Sequence, residues 1–137
     1  MGLEIIRVVE PTDAAKLYPW LVPTKTEDRM QIACELADRL DKKPDETLCL
    51  VAIENNIARA VVIAYVSEQK KRTVWLWQAA AESSFEDSKL LWEKLILWAK
   101  DQHAREIRMG TDMKRQKAFQ RRWGFTPCGH GQMRIKL

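Results

Sequence analysis

A change of residue period near position 82 constrains this chain more than any other feature. Before it, three stretches rich in apolar and β-branched residues follow one another, Thr47–Ile53, Ile57–Ser67 and Thr73–Ala81. Asn55-Asn56 separates the first two, and asparagine accepts the positive φ of a tight hairpin turn. The polar stretch Gln69–Arg72 separates the second pair. Links this short join antiparallel neighbours, so the three stretches read as a meander. After position 82, Leu91, Leu95 and Trp98 recur at helical spacing, and Leu90, Ile96 and Leu97 widen the apolar face. A helix over Leu90–Ala99 with so broad a face packs on a sheet.

The flanks extend this plan. Leu3–Val9 reads as a strand. Pro11-Thr12-Asp13 ends it and opens a short helix through Ala14–Leu17, after which Pro19 and Pro23 break the chain. Thr24, with Glu27 three residues on, forms a capping box for a helix to about Leu40. Ile32, Ala33, Leu36, Ala37 and Leu40 lie on or near one face of that helix, and Lys42-Lys43-Pro44-Asp45 stops it. Downstream, Glu106–Met109 reads as a strand and Lys114–Trp123 as a helix closed by Gly124 at its C′ position. Phe125–Cys128 and Gln132–Leu137 form two last strands around Gly129-His130-Gly131. The expectation is one domain over residues 1–137 of α/β (α+β) class. It has a mixed, mostly antiparallel sheet of about six or seven strands with helices on both faces.

Composition excludes several classes. Hydrophobic residues make up 46% and charged residues 31%, a globular balance rather than a disordered one. No apolar run nears the ~20 residues of a membrane span, and the N-terminus lacks a signal-peptide pattern. Cys34, Cys49 and Cys128 are odd in number and show no metal or CxxC spacing, which fits a cytoplasmic protein with reduced, buried thiols. His103 and His130 are isolated, so no metal site is expected. Charge is uneven. Residues 105–137 carry nine Lys/Arg against two acids, about +7, and the first 104 residues balance near −3. A basic end on an acidic body suggests an anion site. Lys114, Arg115, Lys117, Arg121 and Arg122 are its candidates, for nucleotide phosphates or a nucleic-acid backbone. An ordinary solvated helix face reads equally from the same residues.

Three stretches carry a family resemblance. Leu91–Lys100 (LWEKLILWAK), followed by Glu106-Ile107-Arg108, is similar to the central helix and next strand of the GNAT superfamily of N-acetyltransferases. Ala118–Phe125 resembles its penultimate helix ending in Gly124-Phe125, and Met133-Arg134-Ile135-Lys136 its closing hairpin. The resemblance implies the GNAT fold and transfer of acetyl from acetyl-CoA to an amine. It further implies a Q/R-x-x-G-x-G/A turn opening the central helix, where backbone N–H groups and the helix dipole hold the pyrophosphate.

That turn falls on Ser83–Ser88, and the sequence departs from it. Ser83 stands in place of Gln or Arg, Glu86 in place of the first glycine, and Ser88 at the small residue. Glycine would let the backbone approach a phosphate. Glu82, Glu86 and Asp87 instead repel a dianion, each on the order of a few kcal/mol at an effective dielectric near 20. Ser83 and Glu86 also form an S-x-x-E capping box, so the helix end can be satisfied by its own side chains. The resemblance further implies a tyrosine general acid where Gln120 stands, and glutamine cannot donate and recover a proton. Tyr65 and Glu82 are the substitutes at hand. Gln78, Ala79, Ser83, Ser84 and Ser88 would line a pantetheine slot, and Trp75 and Trp77 share one face as core or pocket wall.

Two readings follow. One is an acetyltransferase-like binding module with lost or weakened acetyl-CoA-dependent activity and no cofactor, engaging a protein or nucleic-acid partner. The other is an active, divergent N-acyltransferase with acetyl-CoA. A homodimer through the last hairpin or the meander edge is compatible with both.

Overall fold

The computed structural model describes residues 2–82, 89–110 and 122–137. Seven strands form one sheet in the order β1-β2-β3-β4-β5-β7-β6. The strands are β1 (Leu3–Arg7), β2 (Thr47–Glu54), β3 (Ile57–Val66), β4 (Thr73–Ala81), β5 (Glu106–Gly110), β6 (Thr126–Gly129) and β7 (Gln132–Lys136). Every neighbouring pair is antiparallel except β4 and β5, which α2 (Lys89–Asp101) separates in sequence. The expected meander is β2-β3-β4, and Asn55 and Asn56 turn it at φ 53° and 64°.

Helices cover both faces. Leu91, Leu95, Trp98 and Ala99 of α2 pack on Leu48, Leu50, Val74, Leu76, Ile107 and Met109. On the opposite face, α1 (Arg29–Lys42) lays Ile32, Ala33, Leu36 and Leu40 against Cys49, Val51, Val61, Ile63 and Trp77. Arg122 and Trp123 are helical, and Gly124 follows at φ +78°, the left-handed geometry that suits glycine after a helix. The rest of the expected Lys114–Trp123 helix lies outside the described residues.

Two details near the N-terminus differ from the sequence reading. The short helix is a 3₁₀ helix, and it runs from Pro11 through Pro19 to Trp20. Ala14, Leu17 and Trp20 recur every third residue, which matches three residues per turn and puts all three against the α1-side core. Helix α1 starts four residues later than Thr24 predicts. Asp28 is its N-cap, with Gln31 N donating to Asp28 Oδ1 at 2.9 Å and Asp28 N donating to Gln31 Oε1 at 2.8 Å. Thr24 accepts from Glu27 N at 3.1 Å within a separate turn.

Candidate functional site

The site is built on β4. Its first half, Thr73–Leu76, runs parallel to Glu106–Met109. On its other side Ala64 pairs with Leu76 and Ile63 with Gln78, so Trp77 is the extra residue of a β-bulge. A bulge bends its strand and re-aims side chains. The second effect is visible here. Among the described residues, Trp77–Ala81 have no partner in β5, so the β4–β5 pairing ends at Leu76 and Met109, toward the C-terminal ends of both strands. That is where sheets with parallel strands receive ligands. Trp75 and Trp77 face the α1 side, as expected for a shared face, and both pack into its core. Beyond the bulge Gln78 lies opposite Ile63 on that same side, and Ala79 joins the α2-side core.

Two residues expected to serve the gap are held elsewhere. Gln78 is 1% exposed, and its amide clamps Val22 in the segment before α1. Oε1 accepts from Val22 N at 2.7 Å, and Nε2 donates to Val22 O at 3.0 Å. Glu82 is exposed and forms an ion pair with Arg59, its carboxylate 2.8 Å from Nε, and Arg59 also reaches Glu54 at 3.2 Å. Ser83, Ser84, Ser88, Lys114, Arg115, Lys117, Gln120 and Arg121 lie outside the described residues. Arg122 is exposed, with Cζ 5.7 Å from the Trp123 ring centroid. Trp123 does not stand open for a base on both faces. It stacks on Trp92 at 4.9 Å, and Trp92 meets Phe125 edge-on.

Titratable groups gather instead on the α1 side of β3 and β4. Trp77 Nε1 donates to Glu27 Oε1 at 3.2 Å. Glu35 is pushed up to about 7, by burial first, then by its hydrogen bond to Glu27 and that neighbour's charge, with Arg39 opposing. Arg39 sits over Tyr65, its Cζ 3.7 Å from the ring centroid, and Tyr65 meets Trp77 edge-on at 5.6 Å. Burial pushes the Tyr65 phenol up, partly offset by Arg39. Tyr65 thus faces the helix-covered side, beside the bulge.

A cavity of about 310 Å³ opens next to this cluster, with Arg39, Tyr65, Trp75 and Gln132 among its walls. Beyond Trp75 the row continues into charge, because Trp75 pairs with Arg108 and Arg108 with Arg134. Arg108 bonds Glu106 and donates to Gln132 Oε1 at 3.2 Å, and Arg134 reaches Glu106 at 3.6 Å. Burial works against the Glu106 charge, but the Arg108 hydrogen bond and the Arg108, Lys70 and Arg134 charges outweigh it and hold the carboxyl below its ordinary value.

Glu35 and Arg39 did not stand out in the sequence, and Glu27 stood out only as the capping-box partner of Thr24. The one visible sign is the Glu35/Arg39 spacing of four, common on any helix. The cysteines are free. Cys49 is buried, which pushes its thiol up to about 12, but Cys34 is exposed, against the expectation of buried thiols. No group of three or more metal-ligating side chains occurs among the described residues, and none of the described helices is long and apolar enough to cross a membrane.

No protein-family model matches the sequence, and no curated protein matches it. Solved structures do match over the whole chain. A GNAT-family acetyltransferase from Staphylococcus aureus Mu50 aligns with a TM-score of 0.73 at 14% identity, covering 99% of each chain. The PaiA N-acetyltransferase of Thermoplasma acidophilum, solved with coenzyme A, gives 0.71 at 12% over 100% of both. A GNAT-family acetyltransferase from Streptococcus pneumoniae gives 0.68 at 20%, covering 99% of this chain and 100% of that one.

Proposed function

This chain has the GNAT fold, and on that fold we propose that it is an acetyltransferase-like binding module whose acyl-CoA-dependent activity is lost or weakened. One observation carries the reading. The polar groups best placed to serve the gap between β4 and β5 are tied into the scaffold, Gln78 to Val22 and Glu82 to Arg59. The sequence of the following turn adds to this, because Glu82, Glu86 and Asp87 oppose a pyrophosphate. A cytoplasmic setting fits the unpaired cysteines. A partner, protein or nucleic acid, would meet the basic C-terminal region. In a homodimer, pairing would use the β1 edge, since Pro127 blunts the β6 edge.

A specific observation favours a second reading, an active N-acyltransferase. Glu35, titrating at about 7 beside the bulge, has the proton affinity of a general base at neutral pH. In that reading the carboxylate removes a proton from an acceptor ammonium, and the freed amine attacks the thioester carbonyl. The C–S bond then breaks, and the departing CoA thiolate takes up the second proton of the amine nitrogen.

Titration calorimetry with CoA and acetyl-CoA separates the two. The binding-module reading expects no heat of binding up to millimolar CoA, and binding to appear when Glu86→Gly is combined with Ser83→Arg. Micromolar binding by the unaltered chain sinks it and makes an amine acceptor the next search. Replacing Lys114, Arg115, Arg121 and Arg122 by Ser tests the anion site, and an unchanged response to nucleic acid reduces that region to a solvated face.

A further inference from the structure

The cavity beside Trp75 has a chemistry of its own. Its floor is aromatic, because Tyr65 and Trp75 are cross-strand partners that both face α1. Its polar walls are Arg39, Glu68, Gln69 and Gln132. Its volume, about 310 Å³, is that of a small ligand site.

The charges around it favour an anion. Glu68 is the one carboxylate on the walls, and it already accepts from Lys43 Nζ at 2.7 Å. An ammonium ligand would have to displace that lysine. Arg39 is the less satisfied partner. Its Nη2 lies 3.4 Å from Glu35 and its Nη1 3.6 Å from Glu68, both long for charge-assisted bonds. Its Nε is buried and has no hydrogen-bond partner. Its Cζ sits 3.7 Å from the Tyr65 ring centroid, and the long Nη1–Glu68 contact is the one that a two-oxygen ligand in the cavity would replace. Behind that wall Arg108 holds Gln132 in place, its own charge matched by Glu106.

We propose that this cavity binds a small aromatic carboxylate, its ring against Trp75 with Tyr65 beside it and its carboxylate on Arg39. Gln69 and Gln132 supply amide groups for the polar substituents. The cavity lies at the paired half of β4, beside Trp75, whereas acyl-CoA would enter beyond Leu76, and its test uses no coenzyme. Failure of either reading therefore leaves the other standing.

An NMR titration of the full chain with benzoate, benzamide and benzylamine tests it, because the three share a ring and differ in charge. Benzoate is expected to shift the Trp75 indole and the Gln69 and Gln132 amide signals, about tenfold more tightly than benzylamine, the value of one charge-assisted bond. Arg39→Met keeps the stem over Tyr65 and is expected to bring benzoate down to the level of benzamide. Glu68→Gln leaves the cavity its shape and releases Arg39, so benzoate binding should rise. Equal or tighter binding of benzylamine overturns the proposal. Loss of benzoate affinity in Glu68→Gln overturns it too, even if Arg39→Met fails to fold. An absence of shifts at Trp75 with any of the three probes does the same.

Discussion

The indole N–H of Trp77 donates to Oε1 of Glu27 at 3.2 Å, and this bond ties the bulge of β4 to the turn ahead of α1. Trp77 is 5% exposed and is the extra residue of the bulge between β3 and β4. Trp77→Phe keeps a buried ring and removes the donor. It should lower stability by about 1 kcal/mol, and Trp77→Ala by about 3–5 kcal/mol through the cavity it leaves. Urea unfolding measures both. Equal losses for the two variants would mean that the bond, not the packing, holds the bulge in place.

Stability should depend on pH through Glu35. Its folded value of about 7 lies above the ordinary 4.5, so between the two the folded state holds a proton that the unfolded state has lost. The unfolded state binds fewer protons there, and stability falls as pH rises through that window. Glu27, Arg39 and Glu68 are the charged groups around it. Glu35→Gln should flatten the slope between pH 5 and 7 and leave the acid limb, where Glu106 titrates, unchanged. Urea midpoints at half-unit steps provide the check. A slope that survives the substitution assigns it to another group.

Gln78 should behave as a structural clamp. Gln78→Ala removes both bonds to Val22 and leaves that backbone pair without partners, at about 2–3 kcal/mol. Hydrogen exchange at the Val22 amide should accelerate well beyond the change in global stability. If only global stability moves, the segment before α1 is held by its apolar contacts, Leu17 and Leu21 among them.

Much of the architecture could be read from periodicity. Thr73–Ala81 has the predicted bounds, and α2 exceeds its predicted span by one residue at the start and two at the end. Neither element needs more than local pattern and turn chemistry, as at Asn55-Asn56. The start of α1 was missed because Thr24 and Asp28 both have capping chemistry, and sequence cannot tell which will be used. The Glu27 side chain bonds Trp77, fifty positions away, and no local signal marks such a pair.

The sequence by itself determined the seven strands, the two helices α1 and α2 and their order, because alternation, helical spacing and turn residues act within a few positions. It also placed acidic residues where a pyrophosphate turn would lie. Only the tertiary structure decided how β4 would be divided. One extra residue at position 77 reverses which side chains face α1, so Gln78 turns toward Val22 and Ala79 toward α2. A period-two pattern cannot reveal that reversal, since the bulge depends on how β3 pairs with β4. The meeting of Glu27, Glu35, Arg39, Tyr65 and Trp77 has the same origin. Each is ordinary in its own segment, and burial in this cluster is what pushes Glu35 and Tyr65 up.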